Sequence, residues 1–203
     1  MMSFVPWNRT PRVESGDDAS LVSRVAAGDS RALDVLYRRE AGPVYRYALA
    51  LSGNAAWAAD ATQEAFIALA TKPHGFDATR GPLGAWLAGV ARHALSALWR
   101  EGRLEDPLPE DGVEDVLDAH AAAANPEGLL VRRQDNAAFW AALRALAAPY
   151  REALVLVDLQ ERPYAEAAAI AGIELNTLRT RLHRARGKLA ALLNHSAAVG
   201  SPS

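Results

Sequence analysis

A helix-turn-helix pattern between Arg162 and Leu193 constrains the fold of this 203-residue chain more than any other feature. A short alanine-rich segment, 164–171, comes before Gly172, and a longer segment with one apolar and one basic face follows it. Small side chains let a second helix approach closely, and glycine permits the positive φ of a tight turn. The pattern predicts two helices, of which the second is suited to the major groove of DNA.

The predicted second helix is strongly basic. Between Glu174 and Lys188 there are five cations and one anion, a net +4. Asn176 or Thr177 is expected to cap it. Apolar residues at helical spacing predict a buried stripe of Leu178, Leu182, Ala185, Leu189 and Leu192. A charged helical face is more often only solvated, but after a glycine turn these arginines are well placed to pair with phosphate or guanine. The predicted DNA contacts are Thr177, Arg179, Thr180, Arg181, Arg184 and Lys188.

Helical periodicity also runs through the first half of the chain. Helices are expected near 18–27, 30–52, 55–70 and 83–101. Asp29 or Ser30 is expected to cap the second of these, and Gly53 to end it. Pro43 is expected to break or kink it. Because no segment alternates like a strand, the sequence predicts an all-α fold of two small helical domains.

An acidic segment separates the two helical blocks. Between Glu101 and Glu127 there are nine acidic residues and one basic residue, a net −8, so the rest of the chain carries +6. Prolines and glycines interrupt this segment, which is typical of a linker. The expected organisation is a flexible tail at 1–17, a domain at 18–103, a linker at 104–128, a domain at 129–193 and a flexible tail at 194–203.

Several classes of protein are disfavoured by composition. The chain has no cysteine, which excludes disulfides and thiolate metal sites. No apolar run approaches the roughly 20 residues that cross a bilayer, so we expect a cytoplasmic protein without direct membrane insertion. The five histidines lack metal-ligand spacing, and no phosphate loop or nucleophile motif is present. We therefore expect no enzyme activity, no cofactor and no metal.

Two sets of motifs occur in a characteristic order. The first block contains Asp60, Gln63, Glu64 and Phe66, then Trp86-Leu87, Ala91-Arg92-His93 and Arg100. The second contains Tyr150-Arg151-Glu152, Tyr164, Glu166, Gly172-Ile173, Arg181-Leu182 and Arg184-Ala185. In this order and spacing the chain resembles the extracytoplasmic-function (ECF, group 4) sigma factors of bacterial RNA polymerase. The resemblance covers about residues 18–103 and 129–193, which correspond to the sigma region 2 and region 4 domains.

The resemblance implies a role for each domain in transcription initiation. Asp60, Gln63 and Glu64 would bind the clamp helices of the polymerase β′ subunit, with Phe66 packed inward. The first domain would recognise and melt the minus-ten element, and the second would recognise the minus-thirty-five element through its helix-turn-helix. The implied minus-ten contacts are Lys72, His74, Phe76, Arg80, Arg92, His93 and Arg100. Phe76 is equally compatible with base stacking and with a packing role.

The resemblance also implies partners. They are the RNA polymerase core, through the β′ clamp helices and the β flap, promoter DNA and an anti-sigma factor. The acidic linker would either imitate the charge of RNA in the polymerase channels or act as a self-repelling spacer. The alternative function is a stand-alone helix-turn-helix transcriptional regulator, whose first domain senses a ligand or dimerises.

Overall fold

A computed structural model of the protein describes residues 15–101 and 137–199. Every regular element in these two ranges is helical, which confirms the all-α prediction. The elements are α1 (Ser15–Ala26), α2 (Ser30–Ser52), α3 (Ala55–Thr71), a 3-10 turn (Pro73–Gly75), α4 (Leu83–Arg100), α5 (Ala137–Ala145), α6 (Ala148–Leu154), a π-helical turn (Val155–Leu159), α7 (Tyr164–Ala171) and α8 (Leu175–Val199). The predicted linker at 104–128 and most of the N-terminal tail lie outside the described residues.

The first domain packs α2, α3 and α4 against one another, and α1 packs against α2. Each helix contributes an apolar stripe to the core, and Leu36, Leu51, Leu69 and Leu87 are fully buried there. Complete burial of a leucine side chain contributes about 1.5–3 kcal/mol, so these stripes hold the domain together.

Local signals set the ends of α2 as predicted. The Asp29 carboxylate accepts hydrogen bonds from the backbone N–H groups of Arg31 (2.9 Å) and Ala32 (3.3 Å). Gly53 ends the helix in the left-handed conformation, with φ of 66°, and its N–H donates to the carbonyl of Leu49. Asn54 then caps α3 through its side-chain oxygen. Position 53 favours glycine because L-residues with a side chain rarely adopt this φ.

Pro43 does not break α2, and that part of the prediction is wrong. The helix is continuous from Ser30 to Ser52 with the proline inside it. An interior proline costs about 3 kcal/mol. Val44, Tyr47 and Leu51 follow it and are fully buried. Their burial offsets the cost of the proline and keeps the second half of α2 in the core.

The second domain places α8 against α5, α6 and α7. Leu178, Leu182, Ala185 and Leu189 are buried as predicted. Leu192 was expected to continue this stripe, but its side chain is 37% exposed and Leu193 is buried instead. Both positions lie about 50° from the centre of the stripe on a helical projection. The helices packed against α8 therefore decide which of Leu192 and Leu193 is buried.

The bounds of α8 differ from the sequence expectation at both ends. The helix begins at Leu175, so Asn176 and Thr177 lie inside its first turn and do not cap it. It continues to Val199, past the boundary expected at 193. Strong helix formers such as Ala197 and Ala198 follow Leu193, and residues 194–199 contain no glycine that would end the helix. The flexibility expected for 194–203 stays a prediction.

Candidate nucleic-acid interface

The turn of the helix-turn-helix has the predicted geometry. Gly172 has φ of 64°, and its N–H donates to the carbonyl of Ala169 at 3.3 Å. The N–H of Ile173 donates to the carbonyl of Ala168 at 3.1 Å. Ala167 and Ala171 are buried, so α7 and α8 pack closely through small side chains. This arrangement orients the N-terminal half of α8 outward.

The predicted minus-thirty-five residues share the solvent-facing side of α8. Thr177, Arg179, Thr180, Arg184 and Lys188 are exposed, and Arg181 is half-buried. Two of them form hydrogen bonds to Asn176 in the first turn of the helix. Arg179 Nη1 donates to the side-chain oxygen of Asn176 (3.3 Å), and the Thr180 hydroxyl donates to the backbone carbonyl of Asn176 (3.0 Å). The Lys188 ammonium lies 5.5 Å from the centroid of the Tyr150 ring. Their use as DNA contacts remains a prediction.

Arg186, another cation of this helix, forms an ion pair within the second domain. Arg186 donates from Nε to Oδ2 of Asp158 (3.0 Å) and from Nη2 to Oδ1 (2.6 Å). This bidentate pair joins α8 to the π-helical turn. Sequence reasoning missed it because the two residues lie 28 positions apart.

The predicted minus-ten residues lie on two segments of the first domain. Lys72, His74, Phe76 and Arg80 lie between α3 and α4, and Arg92, His93 and Arg100 lie on α4. Lys72, His74, Arg80, His93 and Arg100 are exposed. Arg92 is half-buried, and its Nε donates to Oε1 of Glu152 in the second domain at 2.7 Å. No sequence pattern indicated this contact.

Phe76 packs edge-on against Trp86, with ring centroids 6.3 Å apart. Nearby, the Asp77 carboxylate accepts from the hydroxyl (2.7 Å) and N–H (2.9 Å) of Thr79. These bonds to Thr79 lower the pKa of Asp77.

An open cavity of about 200 Å³ lies between this segment and α1. It is lined by Val22, Ser23, Pro73, His74, Phe76 and Ala78, among others.

The predicted polymerase-binding residues form one face of α3. Asp60, Gln63 and Glu64 are exposed at relative positions i, i+3 and i+4. Ile67 follows at i+7 and is 43% exposed, which the sequence analysis did not single out. Beside this face Tyr37 is 51% exposed, and its ring lies 4.8 Å from that of the buried Phe66. Carboxylates and apolar side chains are thus presented together.

Two kinds of site are absent from residues 15–101 and 137–199. Residues 15–101 and 137–199 contain no group of three or more His, Cys, Asp or Glu side chains that could hold a metal ion. No helix in these ranges combines the length and apolar character needed to span a bilayer.

Two protein families match most of the described chain. Residues 36–104 match Sigma-70 region 2, and residues 136–189 match Sigma-70, region 4. The ECF RNA polymerase sigma factor SigE of Mycolicibacterium smegmatis is 36% identical over 81% of this chain and 63% of its own length. BldN of Streptomyces coelicolor is 31% identical over 92% and 70%. EcfG of Rhodopseudomonas palustris is 34% identical over 72% and 77%.

Solved structures support the same fold. The sigma factor CnrH, in complex with the cytosolic domain of CnrY, has a TM-score of 0.63 at 24% identity, over 88% of this chain and 98% of that one. RpoE of Bartonella quintana, in complex with the anti-sigma factor NepR, has a TM-score of 0.58 at 24% identity, over 79% and 96%. The chain, with its helical first domain and its helix-turn-helix, therefore belongs to the ECF sigma factors of RNA polymerase.

Proposed function

We propose that this chain directs core RNA polymerase to specific promoters and starts transcription there. The observation that carries the proposal is the exposed basic face of α8, presented after the Gly172 turn by a chain that also contains sigma region 2. The chain spans 63% of the length of SigE, so the proposal concerns the two conserved regions. It assigns promoter recognition and melting to the chain, and no catalysis.

The second domain would recognise the minus-thirty-five element. An α-helix fits the major groove, and arginine can donate two parallel hydrogen bonds to guanine. Arg179 and Arg184 are exposed on the outer side of α8 and are the best candidates for base contact. Thr177 and Lys188 suit contacts to the phosphate backbone, which fix the register of the protein on the duplex.

The first domain would hold the melted minus-ten element. Exposed Lys72, Arg80 and Arg100 can neutralise backbone phosphates. A base turned out of the stack loses a few kcal/mol of stacking energy, which contacts in a protein pocket can recover. The cavity lined by His74 and Phe76 supports this step, although Phe76 also packs on Trp86.

The outer face of α3 would bind the polymerase. Asp60, Gln63, Glu64 and Ile67 combine polar and apolar contacts, which is common at protein interfaces. We assign this face to the β′ clamp helices and the second domain to the β flap. An anti-sigma factor is also proposed, because RpoE was solved in complex with the anti-sigma factor NepR. These contacts would occur in the cytoplasm.

Reconstitution with purified core polymerase tests the proposal. Wild-type chain should co-purify with core enzyme and support transcription from supercoiled templates that core enzyme alone does not transcribe. The triple variant Asp60→Ala, Gln63→Ala, Glu64→Ala should lose both, because it removes the polar contacts of the α3 face. A matched control is Asp17→Ala with Asp34→Ala, which removes two exposed carboxylates elsewhere in the same domain.

The same experiment discriminates the stand-alone regulator. Such a regulator would bind duplex DNA tightly without polymerase, usually at a palindromic site. Tight duplex binding by the wild-type chain, together with no retention on core enzyme, would therefore overturn the sigma-factor proposal.

A further inference from the structure

The two domains are joined by a buried carboxylate. Glu152 belongs to α6 of the second domain and is 6% exposed. Its Oε1 accepts hydrogen bonds from the Tyr47 hydroxyl (2.8 Å) and from Arg92 Nε (2.7 Å), and both donors belong to the first domain. A buried carboxylate is costly unless it is paired and hydrogen-bonded. The buried state of Glu152 therefore depends on contact with the first domain.

Other polar contacts reinforce this junction. The Arg151 guanidinium donates to the carbonyl of Leu51 in the first domain and to the carbonyls of Arg144 (3.0 Å) and Leu146 (2.9 Å) in its own. Gln160 Nε2 donates to the carbonyl of Pro43 at 3.3 Å. In addition, α7 packs against α4. Polar contacts and helix packing thus hold the junction together, and domains of one chain commonly move relative to each other across such interfaces.

Tyr47 is suited to remain the donor in this cluster. It is fully buried, and burial, followed by the neighbouring charge of Glu152, raises its pKa well above the usual range. The hydroxyl therefore keeps its proton at physiological pH and continues to donate to Glu152.

The junction occupies a residue that the proposed function needs. Arg92 is among the predicted minus-ten contacts, and its Nε is paired with Glu152. A Cβ added at Gly172 would lie only 3.9 Å from Arg92 Nη1, so the helix-turn-helix turn lies close to the same guanidinium. A carboxylate and a DNA phosphate would compete for this group. Arg179 and Arg184 on α8 remain exposed.

We propose that Glu152 locks the chain in a closed state in which the second domain withholds Arg92 from single-stranded DNA while the recognition helix stays accessible. This inference rests on the proposed function in one respect, the assignment of Arg92 to DNA. Melted promoter DNA can then engage the first domain fully only after the two domains separate. Binding partners that favour the separated domains would activate the chain, since they shift the equilibrium by their difference in affinity for the two states.

Energy transfer between two labels measures the closed state directly. The chain lacks cysteine, so Ser20→Cys and Ala191→Cys introduce unique labelling sites at exposed positions in the two domains. Glu152→Gln keeps the size of the side chain and removes its charge. Tyr47→Phe removes one donor from the opposite domain. Each should lower transfer efficiency, with Glu152→Gln raising the open-to-closed ratio about tenfold, the effect of one hydrogen bond to a charged group.

Asp158→Asn provides the matched control. Asp158 is also a poorly exposed carboxylate paired with an arginine, but both partners belong to the second domain. This variant should leave transfer efficiency at the wild-type value. If Glu152→Gln and Tyr47→Phe also leave it unchanged, or if Asp158→Asn lowers it equally, the lock does not exist.

A DNA titration tests the consequence for Arg92. The probe is a fluorescent single-stranded DNA of mixed sequence, because phosphate contacts do not depend on base identity. Glu152→Gln should increase affinity several-fold, and adding Arg92→Ala should abolish the gain. An open Glu152→Gln chain with unchanged affinity would overturn the withholding of Arg92. Failure of the proposed function would appear separately, as no core-dependent transcription by the wild type.

Discussion

The carboxylate of Asp18 accepts a 2.8 Å hydrogen bond from the backbone N–H of Leu83, 65 positions further along the chain. Leu83 is the first residue of α4, and the preceding Pro82 has no side chain that could cap it. A residue of α1 therefore caps α4 from a distance. The same carboxylate pairs with the guanidinium of Arg39 on α2, so Asp18 joins three helices.

Asp18→Ala should destabilise the first domain by about 2 kcal/mol, because it leaves the N–H of Leu83 without its cap and removes one of the carboxylates that pair with the partly buried Arg39. Urea denaturation followed by circular dichroism measures this loss. The control is Asp17→Ala, whose side chain is 54% exposed and which should change stability by less than about 1 kcal/mol. Equal losses in the two variants would contradict the assigned capping role.

The cap of α2 should give a pH-dependent contribution to stability. The hydrogen bond from the Arg24 side chain, with further bonds from backbone N–H groups, lowers the pKa of Asp29. A depressed folded pKa stabilises the fold above the ordinary pKa of aspartate, about 3.9, and the contribution is lost as pH falls through the lower folded value. Asp29→Ala should therefore melt earlier than wild type at neutral pH.

Thermal melts of Asp29→Ala and wild type across acidic pH test this directly, since the two melting temperatures should converge as the pH falls. Asp34→Ala is the control, because Asp34 forms an exposed i,i+4 pair with Arg38 and caps no helix. A difference in melting temperature that stays constant down to the most acidic pH would argue against the cap.

Two glycines of the second domain should respond in opposite ways to alanine. Gly172→Ala should destabilise the domain by about 1 kcal/mol, because its φ of 64° is unfavourable for an L-residue. Gly187→Ala should stabilise it by about 0.5–1 kcal/mol, because Gly187 is inside α8 and a Cβ there meets nothing within 4 Å. Chemical denaturation measures the change in the free energy of unfolding of each variant. A change of the same sign in both variants would refute the backbone argument.

The arginines of α8 should separate into two functional classes. Arg179→Ala and Arg184→Ala should each weaken binding of the holoenzyme to promoter duplex by about 1–3 kcal/mol, because each removes an exposed arginine that we propose as a DNA contact. Arg31→Ala removes an exposed arginine from the first domain and should have little effect. Fluorescence anisotropy with a promoter fragment selected by the wild-type holoenzyme measures the affinities.

Arg186→Ala should instead lower the stability of the second domain, by about 2–3 kcal/mol, because it breaks the bidentate pair with Asp158. Denaturation and anisotropy measured on the same sample distinguish the two classes. A stable Arg186→Ala protein with strongly weakened DNA binding would show that Arg186 acts as a DNA contact.

The sequence by itself determined the helical architecture and the basic face of α8. Both follow from short-range rules: apolar residues at helical spacing, a glycine where φ must be positive, and a cap such as Asp29 beside its own helix. These signals act over a few residues and can be recognised without knowing what lies opposite in space. The exposure of Arg179 and Arg184 followed from the same periodicity.

Only the tertiary structure decided which of several residues with equivalent local patterns is buried and which charged residues are paired. Leu192 and Leu193 are equally placed on the helical projection, and the neighbouring helices buried Leu193. Leu83 lies 65 positions from Asp18, and Glu152 lies 60 positions from Arg92, so no local pattern could identify these pairs. Burial and charge pairing depend on surfaces brought together by folding, and that is why the contact between Arg92 and Glu152 could not be deduced from the sequence.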